Sequence, residues 1–221
     1  MGRALRHRVG FAIVVLGSVF LAGCQGVTPA LACKVQVDTP ALISDRTSAG
    51  IADCDWGNQA GTKADLPDLK LDCLGGETPR SLRDVRGPAM LNFWASNCGP
   101  CRKEMPVLEE FSKKYGDQVA VIGVNYLDLQ PEMAIDLARR TGVTYPSVAD
   151  PCGDLQKTDA PLGRGLPFFL FVAADGSVSD PHSGGVTRLS EVVDLAAKYL
   201  DVDVEAVRKG LKGAERGASR E

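Results

Sequence analysis

The residues best suited to chemistry lie in NFWASNCGPCRKEMP, Asn92 to Pro106, where Cys98 and Cys101 flank Gly-Pro and Glu104 follows three positions later. A cysteine pair at this spacing is open to three readings: half of a metal clip, a structural disulfide, or a thiol couple that turns over. A structural zinc site takes four ligands, yet there is no second CxxC, and beyond the first residues the chain holds one histidine, His182. Thiolates suit Cu(I), but no third thiolate or methionine stands at a suitable spacing. No metal and no other cofactor is therefore expected. A purely structural bridge is the serious alternative, and position argues against it. The pair follows a buried apolar strand and opens a helix, so Cys98 occupies the helix amino-terminus, where unpaired N–H groups and the dipole favour a thiolate. Residues three apart share a helix face. Cys101 then lies beneath Cys98, able to close on it and release a mixed disulfide, and Glu104 continues the face, placed to relay a proton. Pro100 suits the first turn, and Pro106 is expected to kink the helix past Glu104. Glu109, on the same helix, is expected to take no part.

The elements that position this pair can be read from periodicity and punctuation. A short strand at Leu69–Leu71, a capped turn from Ser81 to Gly87 and a buried strand in PAMLNFWAS precede the CxxC, whose helix is expected over 98–115. A second buried strand follows at Val119–Tyr126, then a helix at Pro131–Gly142 with Pro at its start and Gly at its end. YPSVAD reads as a strand, GLPFFLFVAADGSVSD as a strand, an Asp-Gly turn and a second strand, and RLSEVVDLAAKYL as an amphipathic helix. Upstream, VDTPALISDRTSAG shows one weak helical pattern and WGNQAGTKADLPD reads as a loop. Strands alternating with helices and closing in a hairpin imply an α/β fold, a mixed sheet with helices packed on it.

The amino-terminus, MGRALRHRVGFAIVVLGSVFLAGC, places three arginines ahead of an apolar run too short to span a membrane comfortably, the layout of an export signal. Its end, LAGC, resembles the lipobox of bacterial lipoproteins, which implies cleavage after residue 23, acylation of Cys24 and a lipid anchor in the membrane. Residues 24–221 then carry 22 basic and 28 acidic side chains, a net charge of −6, and nothing suggests nucleic acid. With Cys24 assigned to lipid and Cys98 with Cys101 paired, Cys33, Cys54, Cys73 and Cys152 remain. An even remainder in an exported chain reads as two structural disulfides. Four cysteines allow three connectivities; Cys54 with Cys73, leaving Cys33 with Cys152, is preferred. The expected organisation is a signal peptide at 1–23, a cysteine-stapled lead segment at 24–65, one domain at 66–208 and a charged, disordered tail at 209–221.

FWASNCGPCRKEMPVLEEF, followed by VAVIGVNY, YPSVAD and GLPFFLFVAADGSV, resembles the TlpA/ResA-like branch of the thioredoxin-like thiol-disulfide oxidoreductases, close to the redoxin and AhpC/TSA peroxidases. The resemblance implies a thioredoxin-like fold with the branch's insertion around 131–142. It also implies Cys98 as nucleophile, Cys101 as resolving thiol, Glu104 as active-site acid and Pro167 as a cis-proline facing the pair. Substrate would pair with the backbone of Leu166 and contact Trp94 and Asn97. Asn97 departs from the large residue that commonly precedes the first cysteine, and Phe168 and Phe169 are bulkier than the usual pair after the proline. The favoured function is a membrane-tethered reductase outside the cytoplasm. It would act on disulfides of exported proteins such as apocytochrome c and be recharged by a membrane thiol carrier. The alternatives are an oxidase or isomerase, a peroxidase, for which no Thr-x-x-Cys signature is present, and a non-enzymatic binding lipoprotein.

Overall fold

A computed structural model describes residues 33–56, 60–76 and 78–203. The signal segment, Cys24 and the tail at 209–221 lie outside the described residues. Helix α1, Pro40–Ala49, starts where the Thr39 hydroxyl accepts the Leu42 N–H, with Pro40 in its first turn, and stops at Gly50, whose φ of 72° is left-handed. Strands β1 (Lys70–Cys73) and β2 (Arg80–Ser81) lead to β3 (Ala89–Trp94), then helix α2 (Gly99–Tyr115), β4 (Ala120–Tyr126), α3 (Pro131–Thr141) and β5 (Ser147–Asp150). Strands β6 (Phe168–Val172) and β7 (His182–Ser183) and helix α4 (Leu189–Leu200) are the last elements among the described residues.

The seven strands form one sheet in the order β2-β1-β5-β4-β3-β6-β7. Strands β3, β4 and β5 run parallel, so the loops after each of them gather at one end of the sheet, while β1 and β6 pair antiparallel at either side. Period-2 alternation splits the core by face. Met90, Trp94, Phe169 and Phe171 join the buried residues of all four helices. Leu91, Phe93, Phe168 and Leu170 join Trp56, Leu66, Leu71 and Leu82 on the other face. Phe168 and Phe169 are therefore both core residues.

The described part of the lead segment is more than a stapled arm. Val37, Leu42 and Ile51 enter one core and Cys54, Trp56 and Ala64 the other. The expected second strand of the carboxyl-terminal hairpin is corrected. After the Asp175-Gly176 turn only one bridge forms, Val172 to Val178. The Ser179 hydroxyl then accepts the Phe171 N–H in place of a ladder carbonyl, and Pro181, which lacks an N–H, follows before β7.

Candidate active site

Strand β3 is buried at all six positions and delivers the chain to the sheet's carboxyl end, where Ala95–Asn97 turn it into α2. Cys98 caps that helix in an extended conformation, its Sγ accepting the Cys101 N–H at 3.2 Å. The sulfur thus sits where the helix's free donors converge. Cys98 and Cys101 are joined in a disulfide with Cα atoms 5.3 Å apart. The two ends differ: Cys98 is half-buried, whereas Cys101 is fully buried. Cys98 opens onto a cavity of about 410 Å³ shared with Asn97, Pro100, Leu127, Arg164, Leu166 and Phe168. A larger cavity, about 600 Å³, is lined by Lys63, Asp65, Arg83 and Asp159, and no cysteine contributes to it.

One helical turn beyond Cys101, Glu104 is completely buried. Asn92, the polar member of β3, donates its side-chain N–H to Glu104 Oε1 at 2.7 Å. Burial pushes the carboxyl up to about 8 from its ordinary 4.5, against the pull of the Asn92 amide and the Val186 backbone N–H. Gly185 closes the pocket: a Cβ there would lie 3.1 Å from Glu104 Oε2 and 3.4 Å from Pro167. The Leu166–Pro167 peptide is cis. Pro167 is buried, Leu166 is half-buried on the wall of the Cys98 cavity, and Asn97 is exposed. These residues surround a disulfide reachable from one side and backed by an acid that titrates near neutrality.

Trp94 is corrected as a substrate contact. It is fully buried at the end of β3 within the helix-side core and offers a polypeptide no surface. Glu109 is a structural acid: buried, it accepts the Thr144 N–H and hydroxyl at 2.8 and 2.6 Å and pairs with Lys113, tying the loop before β5 to α2. Helix α2 continues through Pro106 to Tyr115. The structure joins Cys54 to Cys73 and Cys33 to Cys152.

Two supports were not foreseen. Asn92 had a signal, since it is the one polar residue in the apolar run AMLNFW. Asp128, in the loop after β4, is buried and accepts the Ser96 N–H and hydroxyl, the Asn125 amide and the Gln130 N–H. Arg102 Nε donates to the Ser96 carbonyl at 3.0 Å, so the turn before Cys98 is held from two sides. Nothing in YLDLQ distinguishes such an acid from a solvated one.

A half-exposed CxxC disulfide capping a helix on a mixed sheet, with a cis-proline and a buried carboxyl beside it, defines a thioredoxin-like thiol-disulfide oxidoreductase. A family model described as Redoxin matches residues 59–197, and the chain belongs to the redoxin family. It is 33% identical over 144 residues to the thioredoxin-like protein YneN of Bacillus subtilis, covering 63% of this chain and 81% of that one. It is 37% identical over 127 residues to the thiol-disulfide oxidoreductase ResA of Geobacillus kaustophilus, covering 55% and 69%. The fold is similar to that of a secreted thiol-disulfide isomerase from Corynebacterium glutamicum, with a TM-score of 0.54 at 23% identity, covering 69% of this chain and 97% of that one.

Proposed function

We propose that the protein is a membrane-tethered reductase that acts outside the cytoplasm on disulfides of exported proteins, such as apocytochrome c before haem attachment. The reading rests first on the asymmetry of the pair, with Cys98 open to a cavity and Cys101 fully buried on the face leading to Glu104. In the reduced protein the Cys98 thiolate attacks a substrate sulfur, forming a mixed disulfide and releasing the substrate's other cysteine as a thiolate. The Cys101 thiol gives its proton to the Glu104 carboxylate and attacks Cys98 Sγ. The Cys98–Cys101 bridge closes, the second substrate sulfur leaves as a thiolate, and the two substrate thiolates take their protons from Glu104 and water. With a carboxyl value of about 8, Glu104 exchanges protons near the pH of the reaction, where general acid–base catalysis is most effective. Asn97 and the backbone of Leu166, beside Pro167, form the substrate contact. Cys33–Cys152 and Cys54–Cys73 are structural bridges. Acylated Cys24 holds the protein at the membrane, and a membrane thiol carrier returns the electrons.

Trapping tests the assignment. Cys101→Ser should accumulate a mixed disulfide with exported proteins that carry a cysteine pair, and additional Cys98→Ser should remove it. Adducts that persist without Cys98 would overturn the roles. For the anchor, Cys24→Ser should move the protein from the membrane to the soluble fraction, and unchanged membrane association would contradict it.

A further inference from the structure

Among the described residues, the large hydrophobic side chains left in solvent are Leu127, Leu129 and Met133, exposed by 46, 61 and 47%. Scattered single residues of this kind are ordinary, but these three fall in the one segment that runs from β4 into α3. Strand β4 lies parallel beside β3, so that segment emerges at the same end of the sheet as Cys98. Leu127 also lines the Cys98 cavity, so the segment that carries Leu129 and Met133 starts at the wall of the reactive site.

Leu127 is held there at a conformational cost. Its φ is 54°, in the left-handed region that a leucine rarely adopts. Its side chain packs where Gly153 leaves room, since a Cβ on Gly153 would lie 2.6 Å from Leu127 Cδ2. Strained backbone at the rim of a reactive site is a mark of functional placement. The loop before β6 adds the half-buried Leu166 to the cavity wall.

Any disulfide that exchanges with Cys98 must bring a sulfur into this cavity, and the residues next to its cysteine then meet these walls. We propose that Leu127, Leu129 and Met133 form a docking shelf for the partner chain beside its reacting cysteine. The preferred substrate is an extended polypeptide disulfide with a bulky apolar residue next to that cysteine. The inference rests on thiol-disulfide exchange at Cys98 and adds which disulfides are preferred. In the exchange the Cys98 thiolate bonds to the partner sulfur in the cavity, the partner S–S bond breaks, and its electron pair leaves on the distal sulfur, which takes a proton from water.

The test uses the reduced protein and two synthetic peptides, each with one cysteine capped as a disulfide with thionitrobenzoate, and differing by Leu or Ser beside that cysteine. Covering one leucine is worth roughly tenfold or more, so the wild type should react about tenfold faster with the Leu peptide. Leu129→Ser with Met133→Ser should bring the ratio close to one, while the volume-conserving Leu129→Met with Met133→Leu should keep it. A wild-type ratio near one, or a ratio unchanged in the serine variant, would overturn the shelf; the wild-type ratio decides even where the serine variant fails to fold. Wild type that releases no thionitrobenzoate even from dithiobis(nitrobenzoate) removes the exchange reading itself, and the shelf with it. A dimer in sedimentation that the serine variant dissolves, or loss of vesicle binding in that variant, assigns the patch to a second copy or to lipid and overturns the proposal.

Discussion

Two disulfides of the same covalent make-up sit in unlike surroundings. Cys54–Cys73 joins the lead segment to β1 with both residues buried, 4 and 2% exposed, inside the core on the sheet face to which α1–α4 contribute no residue. Cys98–Cys101 caps a helix, opens to a cavity on one side and backs onto a buried acid on the other. The first borders a smaller pocket, about 310 Å³, between Arg46 and Arg80, but both of its residues are buried and neither caps a helix, and its effect is on the unfolded chain. The second has access for a partner, helix donors at Cys98, and one helical turn on the buried carboxyl of Glu104, which we propose as its proton acceptor. What surrounds a sulfur pair, more than the bond itself, separates a staple from a reactive couple.

The widest separation between the two bridges should come from removing them in turn. Cys98→Ser is expected to drop disulfide exchange to background while the protein stays folded. Cys54→Ser with Cys73→Ser should leave exchange at Cys98 in place and lower stability by about 3 kcal/mol, the chain-entropy value for a loop of this size. Exchange rates with a small disulfide, set beside denaturant melts of both variants, check the pairing of effects.

Glu104→Gln should slow closure of the Cys98–Cys101 bridge by roughly 100-fold, the lower end of general acid–base effects. It should also remove the inflection near pH 8. The control is Glu110→Gln, since Glu110 is exposed and pairs with Lys114 at the surface, where such pairs contribute about 0–1 kcal/mol. Stopped-flow rates across the pH range separate the two. Equal profiles would make Glu104 a structural acid.

The same carboxyl predicts a pH dependence of stability. Its folded value of about 8 lies above the ordinary 4.5, so between these values the folded protein holds a proton that the unfolded chain has lost. Stability from this group is full below 4.5, falls as the pH rises, and is lowest above 8, by a few kcal/mol. Glu104→Gln should flatten that slope in denaturant melts of the oxidised protein. A smaller effect is expected from Asp128→Asn, which weakens the hold on Ser96. Exchange should slow several-fold through loosened positioning of Cys98, with little change in the pH inflection that belongs to Glu104.

Much of this was legible in the chain because its signals are local. Pro and Gly bracket α3, apolar runs mark β3 and β4, and the CxxC stands where a strand meets a helix. The register of Glu104 with the two cysteines also follows from helical spacing, although its burial does not, since an acid on a helix reads as solvated until its neighbours are known. The burial of Trp94 and of Glu109 escapes the sequence for one reason. Each lies next to reactive residues in sequence but faces the interior, and facing is decided by the sheet and by Thr144, 35 residues away from Glu109. Asp128 acts on Ser96 across 32 positions, a distance at which no spacing rule operates. The shortened hairpin reflects a side-chain hydroxyl, Ser179, competing with a ladder carbonyl.

The central claim is that the Cys98–Cys101 couple turns over as a reductant, and its reduction potential tests that most directly. Equilibration of the purified protein in dithiothreitol or glutathione buffers, with the thiols counted by alkylation, gives the value. The Gly-Pro spacer resembles the reducing end of a range that runs from about −270 mV in thioredoxin to about −120 mV in DsbA. The account predicts a potential below about −200 mV on that scale. A value near −120 mV would contradict it and make the protein one that installs disulfides.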